Sequence, residues 1–294
     1  MNTLVGVDHG GTYVSALRML SRLGLPDLKL GLLHVEEPVW AVSMAGLAPI
    51  TFPVEETVNA LRVAGTRLLG EATKLANLLG MASVSEYEVG HACSLMMNLA
   101  DARQYELIAV GSEQKGSYGS FFLGSVGRGL AMGSHQSFLV AKGEVPIAGK
   151  LKIVLATDHS PYADRAIQHF LKMRPTGIEH ITLLTATEIG AGPMVSPLAE
   201  FAVDLVPAIE ATEKAIRARG EKLQSQLVSA GYPTDVRVVD GFPHQVIEAE
   251  MKEYNADLLV MGAQGHGFVE RLLIGSASLH QVVNEPYSVM VIRA

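Results

Sequence analysis

The chain has 294 residues, a length that suggests about two domains, and its 48% hydrophobic and 18% charged residues are enough to fill two globular cores. A formal net charge of −7 with no cluster of Lys and Arg argues against a nucleic-acid groove, which depends on phosphate contacts. A lone cysteine, Cys93, excludes an intramolecular disulfide framework and fits a reducing cytoplasm, no apolar run reaches the roughly 20 residues of a membrane span, and no secretory signal is expected at the amino end.

Along the first half, the amino end reaches Asp8-His9, and an apolar run, Leu32-Leu33-His34-Val35, follows. The connection over residues 36–53 carries Pro and Met and reads as a lid or contact surface. Glu106 precedes the apolar run 107–110, which ends at Gly111-Ser112-Glu113-Gln114, and Gly124-Ser125 comes next. Phe138-Leu139-Val140-Ala141 closes this half, and residues 144–150 read as a linker.

In the second half, residues 152–156 form a short apolar strand ending at Asp158. The spacing then predicts a helix over about 161–173, with Ala163, Ala166, Ile167 and Phe170 on one face. A strand at 181–185 and a long connection at 188–207 lead to a helix at about 208–230. That helix has a stripe of Ile209, Ile216, Leu223 and Leu227 and a stop at Gly231 and Pro233. A strand at 236–239, a helix at 245–254 and a strand at 258–261 follow. Then come Gly262-Ala263-Gln264-Gly265, residues 266–274, Gly275-Ser276, a short helix at 277–284 and a last strand at 288–292.

The two halves are copies of one unit. An offset of 151 residues superposes Gly111 on Gly262, Gly124-Ser125 on Gly275-Ser276, Gly80 on Gly231 and Gly90 on Gly241; near the amino end the offset is 150, pairing Asp8-His9 with Asp158-His159. Single glycines match by chance, but this many in register do not. The expected domains are therefore residues 1–143 and 151–294, joined by 144–150. Strands apolar on consecutive positions and separated by helices imply a parallel sheet covered on both faces. Ligands of such sheets sit beyond the carboxyl ends of the strands, where Asp8, Asp158, Gly111 and Gly262 all fall. A glycine loop leading into a helix start suits phosphate, because the backbone can approach an anion and the first helical turn offers N–H groups.

The pattern Gly262-x2-Gly265-x9-Gly275-Ser276, with Asp158 after the first strand and a closing Val289-Met290-Val291-Ile292, resembles the universal stress protein family over the whole chain, as a tandem pair. The resemblance implies α/β domains, doubly wound, each a five-stranded parallel sheet of order 3-2-1-4-5, paired within one chain as a pseudo-dimer. It further implies ATP binding, with Mg²⁺ or Mn²⁺ held on the phosphates. Carried over by position, the nucleotide residues are Asp158, Ala186, Met261, Gly262, Gln264, Gly265, Gly275, Ser276 and, more weakly, Ala277. The first copy retains Asp8, Val35, Gly111, Gly124 and Ser125 as a second site, but Gln114 stands where the second copy has Gly265, and Gly127 where it has Ser278.

Taken singly, Gly262 and Gly265 also suit a tight turn, and Asp158 suits an N-cap of the next helix. The segment 111–117 lacks the Lys that a P-loop needs after its second Gly, and Ser276 lacks a nucleophile elbow. The spacing of Gly262, Gly265 and Gly267 inverts the dinucleotide fingerprint, so NAD is not expected. No histidine pair has zinc-motif spacing, so surface or cap roles are expected for most histidines, buried packing for Cys93, and no metal on protein side chains. No residue stands out as a general base aimed at a γ-phosphate; His266 and Glu270 are candidates by location alone and read more simply as solvated loop charges, so no catalytic residue is assigned and at most slow ATP hydrolysis is expected. The reading is an ATP-binding, nucleotide-responsive stress regulator of the cytoplasm, with no nucleic-acid or membrane partner. The extended linker could reach about 23–25 Å, enough for the halves to pair, and a homodimer could add to that. The alternative is a nucleotide-free scaffold with purely structural glycine loops.

Overall fold

The computed structural model describes residues 1–37, 54–114, 121–122, 124–188, 202–265 and 274–294. The expected lids at 36–53, 188–207 and 266–274 therefore lie largely outside the described residues, as do His266 and Glu270. The chain divides into two compact units, residues 1–148 and 149–294.

The first unit runs β1 (Asn2–Gly6), α1 (Tyr13–Leu23), β2 (Lys29–Glu36), α2 (Val54–Leu78), β3 (Ala82–Val89), α3 (Ala92–Ala102), β4 (Leu107–Gln114), β5 (Phe121–Phe122), α4 (Ser125–Gly133) and β6 (Ser137–Lys142). Its parallel ladder reads β3-β2-β1-β4-β6. The second unit runs β7 (Leu151–Ala156), α5 (Pro161–Met173), β8 (Ile178–Thr187), α6 (Ala202–Ser229), β9 (Thr234–Asp240), α7 (Pro243–Glu253), β10 (Leu258–Gly262), α8 (Ser276–Asn284) and β11 (Ser288–Ile292). Its parallel ladder reads β9-β8-β7-β10-β11.

Burial explains the composition of the strands. Central strands such as β10 are apolar on consecutive positions because helices cover both faces, while β3 has a partly exposed pattern and takes Ser83, Ser85 and Glu88. The expected face of α5 is buried, with Met173 added to Ala163, Ala166, Ile167 and Phe170. On α6, of the expected stripe, only Leu223 and Leu227 are fully buried; Ile209 and Ile216 are half-buried. The helix has 28 residues, about 42 Å at 1.5 Å per residue, whereas β9, on which it packs, spans seven residues, about 23 Å. The helix outruns the sheet.

Three expectations need correcting. The sheet of the first unit is not purely parallel: β4 continues four residues past Val110 and is met by the antiparallel β5, with Gln114 opposite Phe121. A Phe-Phe pair suits a strand, and no second glycine interrupts the run at position 114. Helix α6 starts at Ala202, so Pro207 lies inside it, exposed and near its amino end, where a missing N–H costs little more than one ladder bond. Finally, Asp158 is not the cap of α5. Ser160 is, its Oγ accepting from the Ala163 N–H at 3.1 Å, with Pro161 in the first turn.

The start of the linker is bound to the first unit. Ser15 Oγ donates to the Gly143 carbonyl at 2.6 Å, Arg18 Nη1 donates to the Val145 carbonyl at 3.1 Å, and Val145 is buried. Among the described residues no helix is long and apolar enough to cross a membrane.

Candidate functional site

Each unit carries a cleft at the carboxyl ends of its strands. In the second unit the cavity has a volume of about 500 Å³, within the usual range for a small-molecule site. Strand β7 delivers Asp158, β8 delivers Ala186 and Glu188, and β10 delivers Met261, Gly262, Gln264 and Gly265. Gly275, Ser276, Ala277 and Ser278 come from the start of α8, and Pro243 and Ile247 from α7. All nine residues singled out from the sequence border this one space. Ala163, Glu188, Pro243, Ile247 and Ser278 line it as well and carried no motif signal.

The loop after β10 is pinned at its base. The Ala263 N–H donates to the Ile292 carbonyl at 3.0 Å, and the Gly275 N–H donates to the Ala263 carbonyl at 2.7 Å. Buried Ser278 donates its hydroxyl to the Gly262 carbonyl at 2.8 Å, tying the end of β10 to the first turn of α8. The N-cap is Gly275, which has no side chain to cap that turn, so the cap itself places no carboxylate or hydroxyl on its backbone donors.

The glycines are not there for turn geometry. None of Gly262, Gly265 and Gly275 has a left-handed φ. A Cβ on Gly265 would stand 2.4 Å from Oδ2 of Asp158, so this glycine makes room for the carboxylate. Among the described residues a Cβ on Gly275 would meet nothing closer than the Ala263 carbonyl oxygen at 3.6 Å, so none of them gives a reason for a glycine there. Asp158 Oδ1 accepts from the Ser160 N–H at 3.0 Å, which fixes the carboxylate beside the loop. Among the described lining residues there is no Lys or Arg, while Asp158 and Glu188 are acidic.

The first unit's cavity, about 530 Å³, gathers Asp8, Val35, Gly111, Gly124 and Ser125 in the equivalent place. Its walls differ. Asp8 Oδ1 accepts from Thr12 Oγ1 at 2.8 Å and from the Tyr13 N–H at 3.2 Å, so the carboxylate is turned onto the start of α1. A Cβ on Gly111 would lie 2.0 Å from the backbone carbonyl oxygen of Thr12, so this glycine is required by packing of α1 on β4. Gly127 has no hydroxyl to do what Ser278 does, and β4 runs on into its hairpin. Tyr13 and Tyr87 lie near this cleft, and burial first, then the nearby carboxylates, pushes both phenols up.

Two histidines depart from the expectation of surface or cap roles. His34, at the end of β2, is 2% exposed and contacts the Val7 carbonyl through Nδ1 at 2.7 Å. His159 is buried with φ +57°, its Nε2 sharing a 3.0 Å hydrogen bond with Thr185 Oγ1. The apolar strand around His34 carries it into the interior, a consequence of position rather than of residue type. Ligand atoms of His9, His34 and Glu36 lie within 4.8 Å of one another, a grouping that the sequence reading, which expected no metal on protein side chains, did not single out. The sequence signal was the placement of His9 and His34 at the ends of neighbouring strands. Cys93 is buried with its thiol pushed up, by burial first and Glu37 second.

Comparisons with known proteins agree with this architecture. The profile of the Universal stress protein family matches residues 1–142 and again 151–293. A universal stress protein of Mycolicibacterium smegmatis (strain ATCC 700084 / mc(2)155) is 27% identical over 302 aligned positions, covering 99% of this chain and 96% of that protein. The crystal structure of a universal stress protein from Archaeoglobus fulgidus DSM 4304 superposes with a TM-score of 0.67 at 19% identity, covering 99% and 96% of the two chains. A functionally unknown protein from Pseudomonas aeruginosa PAO1 gives 0.59 at 14%, covering 99% and 92%. The chain belongs to the universal stress protein family, with two of its domains in tandem.

Proposed function

We propose that the second unit binds ATP in the cleft beyond β7, β8 and β10, and that the chain works as a nucleotide-responsive stress regulator whose output is binding rather than turnover. The observation that carries this is the set of glycines without a turn to make. Gly275 has an ordinary backbone, and among the described residues a Cβ there would make only an ordinary 3.6 Å contact with the Ala263 carbonyl oxygen, while Gly265 yields its side-chain volume to Asp158. A purely structural loop would use glycine for left-handed φ or for packing. Gly265 yields to packing against Asp158, but at Gly275 the volume is left to the cleft, at the start of α8.

In this reading Asp158 accepts from ribose hydroxyls or an adenine amine, and the backbone at Ala186 meets the base. The N–H groups of Gly275, Ser276 and Ala277 meet phosphate oxygens, with the Ser276 hydroxyl as a further donor. The described lining residues include two carboxylates and no Lys or Arg, so a triphosphate suits this site when Mg²⁺ or Mn²⁺ travels with it and lowers its charge. We assign nucleotide binding to this unit rather than to the first, where β4 continues as a hairpin and Asp8 is held by Thr12 and Tyr13.

The test begins with protein purified without added nucleotide, then denatured, with any released small molecule identified by chromatography and mass. ATP or AMP near one per chain, or saturable calorimetric binding of ATP–Mg²⁺, is the expected result. Neither carry-over nor binding leaves the scaffold reading in its place.

A further inference from the structure

The cleft of the first unit contains a group of side chains that nucleotide binding does not use. His34 is 98% buried by its 2% exposure, and its orientation is set by the Val7 carbonyl, which can only accept. Nδ1 therefore carries the hydrogen, and Nε2 has no hydrogen-bond partner among the described residues, in a ring that lines the cleft. Glu36 Oε2 lies 3.6 Å from it, and the same oxygen lies 3.3 Å from Nε2 of His9. The two imidazoles meet edge to face with centroids 4.7 Å apart.

A neutral His9 can donate Nε2–H to Glu36 Oε2 at 3.3 Å, but Nε2 of His34, whose hydrogen sits on Nδ1, turns a lone pair to the same oxygen, a contact that a cation between them would make favourable. A proton would draw the pair to about 2.7–2.9 Å, the length of a charge-assisted hydrogen bond. The observed separations are longer. The His9–Glu36 separation equals the spacing of about 3.3 Å between ligand atoms in a tetrahedron built on metal–ligand bonds of about 2.0–2.1 Å; the His34–Glu36 separation is 3.6 Å, and all three ligand atoms lie within 4.8 Å of one another. We propose that the first unit binds a first-row divalent transition metal, Zn²⁺ foremost, through Nε2 of His9, Nε2 of His34 and Oε2 of Glu36.

The surroundings are those of a built site. The Nδ1 contact to Val7 fixes the tautomer, as outer partners of metal-bound imidazoles do. The ring of Tyr87 lies 5.8 Å from that of His34, and a Cβ on Gly65 would come within 2.7 Å of His34 Cδ2, so α2 and β3 lock the ring. His9 is the adaptable ligand, with a side chain 54% exposed and free to close the remaining distance. Three protein ligands leave a position for water or an oxyanion from the cleft that they line. The second unit is an internal control. Its equivalent residues are His159, Thr185 and Thr187, and they bond one another or Asp240 instead.

The untagged full-length chain, stripped with a chelator and free of nucleotide, is titrated with Zn²⁺ by calorimetry and with Co²⁺ by visible absorption. The expected result is one ion per chain, with intense Co²⁺ bands of four-coordination. Affinity falls by at least about tenfold in both His9→Ala and Glu36→Gln and is unchanged in His159→Ala. Both altered side chains face the cleft, and a thermal melt of each variant checks the fold. Absence of saturable Zn²⁺ binding by the wild type overturns the proposal. So does binding that either variant retains, or binding that His159→Ala weakens equally.

Discussion

Replacing Gly265 with Gln gives the second unit the residue that the first carries at position 114. A Cβ there would stand 2.4 Å from Asp158 Oδ2, about 1 Å inside ordinary contact. The carboxylate cannot yield freely, because it is short and its Oδ1 is held by the Ser160 N–H at 3.0 Å. Moving it aside strains a hydrogen bond to a charged group and removes the one carboxylate aimed at the nucleoside, each an effect of about 1.5–3 kcal/mol. At about 1.4 kcal/mol per factor of ten, the loss of the ligand contact predicts ATP affinity down by about 10–100-fold. Calorimetric titration of ATP–Mg²⁺ into wild type, Gly265→Ala and Gly265→Gln measures it, with thermal melts to confirm folding. Gly265→Ala should already show most of the loss, because the clash begins at Cβ. Folded variants that bind ATP as tightly as wild type would refute the steric argument and remove Asp158 from the site.

Three further outcomes are expected. Gly111→Ala should destabilise the first unit by about 1–3 kcal/mol, the usual scale of overpacking, because its Cβ would meet the Thr12 carbonyl at 2.0 Å. Gly262→Ala should cost far less, its contact being 3.3 Å to the Ala166 methyl; paired thermal melts compare the two. Arg237→Ala should cost about 1–2 kcal/mol by urea unfolding, because it leaves the buried Glu250 carboxylate without the guanidinium at 3.3 and 3.4 Å. That figure is held low because Arg237 is 41% exposed and water replaces part of the interaction. Above pH 10 stability should fall: burial raises the phenols of Tyr13, Tyr87, Tyr232 and Tyr287 above 10.0, so the folded protein keeps protons that the unfolded chain releases. Arg293, which burial lowers to about 10, opposes this with one proton. Chemical unfolding from pH 8 to 11 should give a shallow decline from about pH 9, where the raised Cys93 thiol contributes in the same direction, and a steeper one above pH 10; a rise above pH 10 would reverse the sign.

The strands and their carboxyl ends were legible because burial on both faces leaves consecutive apolar residues, and glycines punctuate them. That is how Asp158, Gly262 and Gly275 could be placed beside one another from sequence. The helix cap was not legible, because Asp158 and Ser160 both suit an amino-terminal position and only the backbone decides between them. The hairpin after β4 was hidden because Gln114 reads equally as loop or strand until its partner Phe121 is known. The histidine cluster escaped because His9 and His34 are far apart in the chain and meet only through the pairing of β1 with β2. Metal motifs read from spacing along a helix or knuckle miss ligands assembled across a sheet.

The grip of α1 on the linker bears on how this gene product can be cut in two. The matched family region of the first half stops at residue 142, but Gly143 and Val145 are anchored by Ser15 and Arg18. A half ending at 142 would lose the buried Val145 and leave two polar side chains without their acceptors. A dissection after residue 145 keeps that anchor, and exposed residues 146–148 are the segment into which an insertion, a protease site or a fluorescent reporter can be placed with least disturbance to either half.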